Sequence, residues 1–248
     1  MLRVLRPWSR RAAGPAVACR TALLCAAALL LAACGPGGGI PFASLESRCA
    51  KLDPPRFEVL VAPFTFERND EESIAALTAK SGSAFATRRV LGLTTAVFGQ
   101  STDVELHAFG NRRGGEACGT PRVHVELSMQ PVTVFIAREL GGAPCQRDIT
   151  LAHELRHVEV FRAVLDEAAQ DLERELPGAI GTELRRAKDP EALQQRLIIA
   201  VRDYLAQFMR ERQGALDERQ AEVDASEEYA RLSAACPGSV ADFISATP

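Results

Sequence analysis

The chain has 248 residues, 47% hydrophobic and 25% charged, an ordinary globular composition with room for one substantial core. Its formal charge is −3, and setting aside the five arginines of the first 33 residues leaves 24 basic residues against 32 acidic ones, near −8. That balance argues against nucleic acid as a partner, which requires a basic footprint.

The first predicted element is a leader. Arg3, Arg6, Arg10, Arg11 and Arg20 carry positive charge with no acid among them, and an apolar run from Thr21 to Ala33 follows. The run is shorter than the roughly 20 residues of a bilayer span, so residues 1–33 are expected to be an export signal. Leu31-Ala32-Ala33-Cys34 ends the run and resembles the lipobox of bacterial lipoproteins. The resemblance implies cleavage before Cys34, lipid on its thiol and attachment to a membrane. With Gly35 rather than aspartate next, it implies the outer membrane, facing the periplasm. Gly35-Pro36-Gly37-Gly38-Gly39 opens a flexible tether expected over 34–50. Cys49, Cys118, Cys145 and Cys236 then remain, an even number that predicts two disulfides in an exported chain, with three pairings open.

A single domain is expected over 51–238, with a tail at 239–248. Phe57 to Val61 reads as a strand ended by Pro63. Asp70 is a candidate cap for a helix over 71–80, closed by Gly82. Val90 to Phe98 favours strand, a turn is expected at Gly99 to Thr102, and Val104, Leu106 and Ala108 mark one face of a further strand. A glycine-rich loop from Gly110 to Thr120 leads to Val123, Val125 and Leu127, a strand buried on one face; Gln130-Pro131 breaks it before a strand at Val132 to Ala137.

From Ile149 the apolar period becomes helical: Leu151, Leu155, Val158, Leu165 and Leu172 form a stripe that stops near Pro177. A second long helical stretch follows Asp189-Pro190, with Gly214 as a candidate interruption and helix again to about Ala235. Strands followed by helices predict an α+β fold, a small mainly antiparallel sheet followed by long helices.

His153-Glu154-Leu155-Arg156-His157 matches H-E-x-x-H and lies inside the first long helix, where positions i and i+4 share a face. Two imidazoles there can grip one Zn2+, and Glu154 stands close enough to take a proton from water held by the metal. Two of the chain's four histidines fall in this five-residue motif. A catalytic zinc takes a third protein ligand, and no histidine follows His157; Val160 and Ala163 occupy the glycine and third-histidine places of the extended H-E-x-x-H-x-x-G-x-x-H motif. A carboxylate further along the chain is the remaining simple choice.

From Val123 to Cys236 the chain looks like a zincin whose third ligand is a carboxylate, similar in outline to secreted zinc-dependent proteases of bacteria. Glu218-Arg219-Gln220-Ala221-Glu222 resembles the E-x-x-A-D segment of gluzincins, with Glu222 where aspartate is usual. The resemblance implies a zincin-like fold, Glu218 as third ligand and Glu222 as the acid that orients a histidine. Asp224 is the alternative ligand, as in zincins that use aspartate, and Asp224-Ala225-Ser226-Glu227 also fits a capping box.

Tyr229 is a candidate donor to a developing oxyanion or a buried anchor of the last helix. His107 and His124 fall on polar strand faces. Either Val123 to Leu127 or Val132 to Ala137 is a candidate edge for an extended peptide. A Cys145–Cys236 bridge would tie the two ligand-bearing helices together. The expected function is hydrolysis of a peptide or protein substrate in the cell envelope by a zinc metallopeptidase, monomeric, with Glu154 as general base. The alternatives are a non-catalytic envelope lipoprotein of zincin-like fold and a zinc amidase acting on peptidoglycan.

Overall fold

The computed structural model describes residues 43–82, 89–111 and 114–237; the leader, Cys34 and the tail 239–248 lie outside the described residues. From Ala43 onward the chain forms one compact unit. The expected tether therefore ends earlier than residue 50. Ser44 caps a short helix, α1 (Leu45–Cys49), by accepting from the Ser47 backbone N–H, and Cys49 is disulfide-bonded to Cys118.

The strand half consists of two mixed sheets, not one mainly antiparallel sheet. In the first, β1 (Arg56–Val61) runs parallel to β5 (Ala117–Met129), and β4 (Phe98–Gly110) runs antiparallel along the other side of β5. The register pairs Phe57 with Val123, Val59 with Val125 and Val61 with Leu127, aligning the apolar residues of β1 and β5 on one face. The expected turn at 99–102 is strand: β4 pairs without interruption from Phe98 opposite Met129 to Gly110 opposite Ala117. Its hairpin closes through Gly114 (φ 76°) and Gly115 (φ 96°), left-handed positions that suit glycine. A short strand, β7 (Arg185–Ala187), pairs with the start of β5.

In the second sheet the order is β2 (Glu67–Asn69), β6 (Thr133–Ile136), β3 (Gly92–Thr95), parallel on the β2 side and antiparallel on the β3 side. Both candidate edge strands of the sequence are thus interior, and β3 stands at the edge. α2 (Ile74–Lys80) begins later than expected because Ser73, accepting from the Ala76 backbone N–H, is the cap; Asp70 instead pairs with Arg68 at 2.6 and 2.5 Å.

Two long helices cover the first sheet. α3 (Pro144–Ile180) lies against β1 and β5, and α4 (Pro190–Val223) against β4 and β5. In α3, Val158, Phe161, Leu165, Ala168, Leu172 and Leu176 are buried at helical spacing, continuous in one core with Val123, Val125 and Leu127 of β5 and Leu197, Val201 and Leu205 of α4. α3 continues through Pro177 to Ile180, and α4 through Gly214 without a break; Asp189 caps α4 by accepting from the Ala192 backbone N–H at 2.7 Å. A last short helix, α5 (Ser226–Ala234), has no buried side chain, and a Cys145–Cys236 disulfide ties the residues just beyond it to the first turn of α3. No described helix is long and apolar enough to cross a membrane.

Candidate metal centre

The motif helix is α3, and burial selects the face it uses. His153, Glu154 and His157 are buried among residues that otherwise form the core, a setting where ionisable groups need partners. His153 Nε2 and His157 Nε2 face each other at 3.3 Å. The acid that meets them is Asp224, at the C-terminal cap of α4: its Oδ1 lies 3.1 Å from His153 Nε2 and 3.4 Å from His157 Nε2.

Glu218, expected as third ligand, is exposed, and so is Glu222, expected to orient a histidine. The reason is rotation about α4. At 100° per residue, Glu218 and Glu222 lie about 160° from Gln220, which shares the inward side with buried Leu216 and Val223. Asp224 does not cap α5 either. Ala225 holds the cap position without a side-chain bond, and the Asp224 carboxylate turns to the imidazoles, a tertiary contact prevailing over a local one.

Each imidazole is also approached at Nδ1. Gln220 Nε2 donates to the His157 carbonyl at 3.3 Å, which leaves Gln220 Oε1 facing His157 Nδ1 in a short hydrogen bond. Glu228 Oε1 lies 3.5 Å from His153 Nδ1 and accepts from Arg156 Nη1 and Arg231 Nη2, each at 2.7 Å. Tyr229 donates its hydroxyl to Asp224 Oδ1 at 2.9 Å. Gln220 and Glu228 were not singled out by the sequence pattern. The spacing of Gln220 from Leu216 and Val223 is the signal that marks it as inward-facing, whereas nothing local marks Glu228.

Glu154 points toward β3. Thr94 Oγ1 donates to Glu154 Oε2 at 2.7 Å, and a Cβ added at Gly92 would stand 2.5 Å from Glu154 Oε1 and 2.6 Å from Thr150 Cγ2. The carboxyl is thus held between two β3 residues, neither marked in the sequence because the contact joins elements 60 residues apart.

Burial pushes the Glu154 carboxyl above its usual range, against the hydrogen bond from Thr94 and the nearby histidines. Burial also opposes ionisation of Asp224, but hydrogen bonds with His153, His157 and Tyr229 outweigh it and hold that carboxyl below the usual range. At His157 burial favours the neutral ring, while hydrogen bonding to Asp224 and Gln220 prevails and raises its affinity for a proton. The Arg231 hydrogen bond, with Arg156 and His153 against burial, lowers Glu228 to about 2.

His153, Glu154, His157, Gln220, Asp224 and Tyr229 line a cavity of about 340 Å³. Val90, Leu91 and Leu93 wall it on the strand side, Ile149 and Phe161 on α3, and Leu232 on α5, an apolar chamber with its polar groups gathered at one place. Among the described residues, one group of three ligating side chains comes together, His153, His157 and Asp224. Its edges of 3.1, 3.3 and 3.4 Å match the roughly 3.3 Å separation of neighbouring ligands about a tetrahedral ion with bonds of about 2.0–2.1 Å. Two nitrogens and one oxygen, with a cavity on the fourth side, suit zinc. His107 and His124 stand apart, beside Glu105 (3.9 Å) and Glu58 (3.1 Å).

Fold and site together define an α+β protein with mixed sheets, long C-terminal helices and a cluster of two buried histidines and a half-buried aspartate beside a glutamate. Comparison with known proteins finds no matching family model, no matching curated protein and no matching solved structure.

Proposed function

We propose that this chain is a zinc-dependent peptidase of zincin type, exported and lipid-anchored at Cys34, acting on peptide or protein substrates of the cell envelope. The observation that carries the reading is the meeting of His153, His157 and Asp224 at one point with Glu154 beside it. These three residues would hold the zinc. A zinc ion so held supplies Lewis acidity, lowering the pKa of water and polarising a carbonyl.

The chain's own residues account for the rest. Glu154 holds a carboxylate within the cavity wall, where it can take a proton from water at one oxygen and pass it to a leaving amine; burial raises its basicity toward that of a useful general base. Thr94 fixes the carboxylate from the side, leaving Oε1 as the working oxygen, and Gly92 leaves the space that oxygen needs. Among the described residues β3 pairs on one side only, and it borders the cavity through Gly92, Leu93 and Thr94, so its other side can receive an extended substrate chain.

Metal analysis tests the reading before any substrate is known. Purified protein should carry one zinc per chain, lost in His153→Ala and Asp224→Ala and retained in Glu218→Ala; Glu154→Gln should retain zinc and lose peptidase activity. Retention of metal by Asp224→Ala, or zinc-loaded protein without activity on any peptide or cell-wall substrate, would overturn it.

A further inference from the structure

α5 contributes Glu228, Tyr229 and Leu232 to the surroundings of the site although none of its side chains is buried in the core. Its attachment is polar and covalent: Glu228 to Arg156 of α3, Tyr229 to Asp224, and the Cys145–Cys236 bridge beyond its end. A helix of nine residues has little stability of its own, so these attachments decide whether it docks.

The geometry points to Glu228 as a positioning residue that sets the tautomer of His153 and thereby the affinity of the site for its metal, an inference resting on the zinc-site reading above. For Nε2 of His153 to present a lone pair toward Asp224 and His157, its ring proton must sit on Nδ1, which needs an acceptor. Glu228 Oε1 is that acceptor, 3.5 Å away. The carboxylate is fixed by two guanidinium groups, Arg156 through Nη1 at 2.7 Å and Arg231 through Nε at 2.8 Å and Nη2 at 2.7 Å. Glu228 is only 11% exposed although its partners Arg156 and Arg231 are 43% and 60% exposed, so its carboxylate is sheltered and held beside the ring. His157 receives a neutral counterpart in Gln220, so the two imidazoles are oriented unequally, and the charged acceptor makes His153 the stronger donor to a cation. Arg156, inside the motif, thus serves as the bridge that couples α5 docking to the metal.

Competition of the full chain with a chromophoric zinc chelator tests this without a substrate. Glu228→Ala should weaken zinc binding by roughly 10- to 100-fold, and Glu228→Gln, which keeps an acceptor without the charge, should fall between it and the parent. In the zinc-loaded parent, nitrogen-detected NMR should find the His153 proton on Nδ1 as a slowly exchanging signal that Glu228→Ala loses. Intact Cys145–Cys236, read by mass spectrometry, and unchanged amide protection in α3 and β5 keep a folding defect apart from a local one. Zinc affinity in Glu228→Ala within twofold of the parent would overturn the inference alone. Equal losses in Glu228→Ala and Glu228→Gln together with lost protection of α5 would also overturn it, reducing Glu228 to a docking contact. Failure of the parent to bind zinc would overturn both the inference and the reading beneath it.

Discussion

The Glu154 carboxylate has two oxygens in two environments, and that asymmetry is a property of single residues. Oε2 accepts from Thr94, while Oε1 faces the space that Gly92 leaves open. Replacing Thr94 with valine removes a donor from a buried carboxylate, which should lower stability by about 1–3 kcal/mol, measurable as a lowered urea midpoint. Gly92→Ala acts differently. Its Cβ would meet Glu154 Oε1 at 2.5 Å and Thr150 Cγ2 at 2.6 Å, so Glu154 must turn away. Zinc affinity should then stay within a few-fold while peptidase turnover falls at least tenfold, by the usual contribution of a general base. A proportional loss of zinc would show that the displacement reaches His153.

At the level of elements, α3 and α4 carry the site because their buried stripes hold them against the same sheet. Leu172 is wholly buried toward the C-terminal end of α3, so Leu172→Ala should destabilise the fold by about 2–5 kcal/mol, read from denaturant unfolding, with little effect on the site about five helical turns away. On the solvent side, Arg219 of α4 donates to both oxygens of Glu167 of α3 at 2.9 and 2.6 Å. The hydrogen bond to Arg219, against a small burial cost, lowers the Glu167 pKa. A depressed carboxylate contributes stability above its unfolded pKa and loses it as pH falls through the folded value. Glu167→Gln should therefore destabilise slightly at neutral pH, by about 0.2–1 kcal/mol, and make no difference in acid below both values. Urea midpoints at pH 7 and in acid for parent and variant check the sign.

Across the whole molecule the two disulfides serve opposite ends. Cys49–Cys118 joins α1 to the start of β5, beside the Gly110 hairpin against which Pro190 packs; α4 runs from there for 34 residues, about 51 Å, to Asp224. Cys145–Cys236 lies at the metal end. The paired replacement Cys49→Ser/Cys118→Ser opens a link across 69 residues and should cost about 4 kcal/mol of stability while leaving zinc affinity within a few-fold. Cys145→Ser/Cys236→Ser should instead loosen α5 and weaken zinc binding. Thermal unfolding and chelator competition on both variants separate the two roles.

What sequence alone determined was local. The strand at 123–127, the helical period from Ile149, the separation of strands from helices and the placing of His153 and His157 one turn apart all follow from side-chain alternation within a few residues, which burial then selects. What only tertiary structure decided was which distant groups meet. The sequence pattern puts Glu218 first as the third ligand, with Glu222 behind a histidine and Asp224 as the alternative, and the rotation of α4 about its axis, set by Leu216 and Val223 entering the core, brings Asp224 and neither glutamate to the histidines. The parallel pairing of β1 with β5, the edge position of β3 and its grip on Glu154 likewise depend on contacts between residues far apart in the chain, from Thr95 opposite Thr133 to Arg56 opposite Arg122, for which no local period exists.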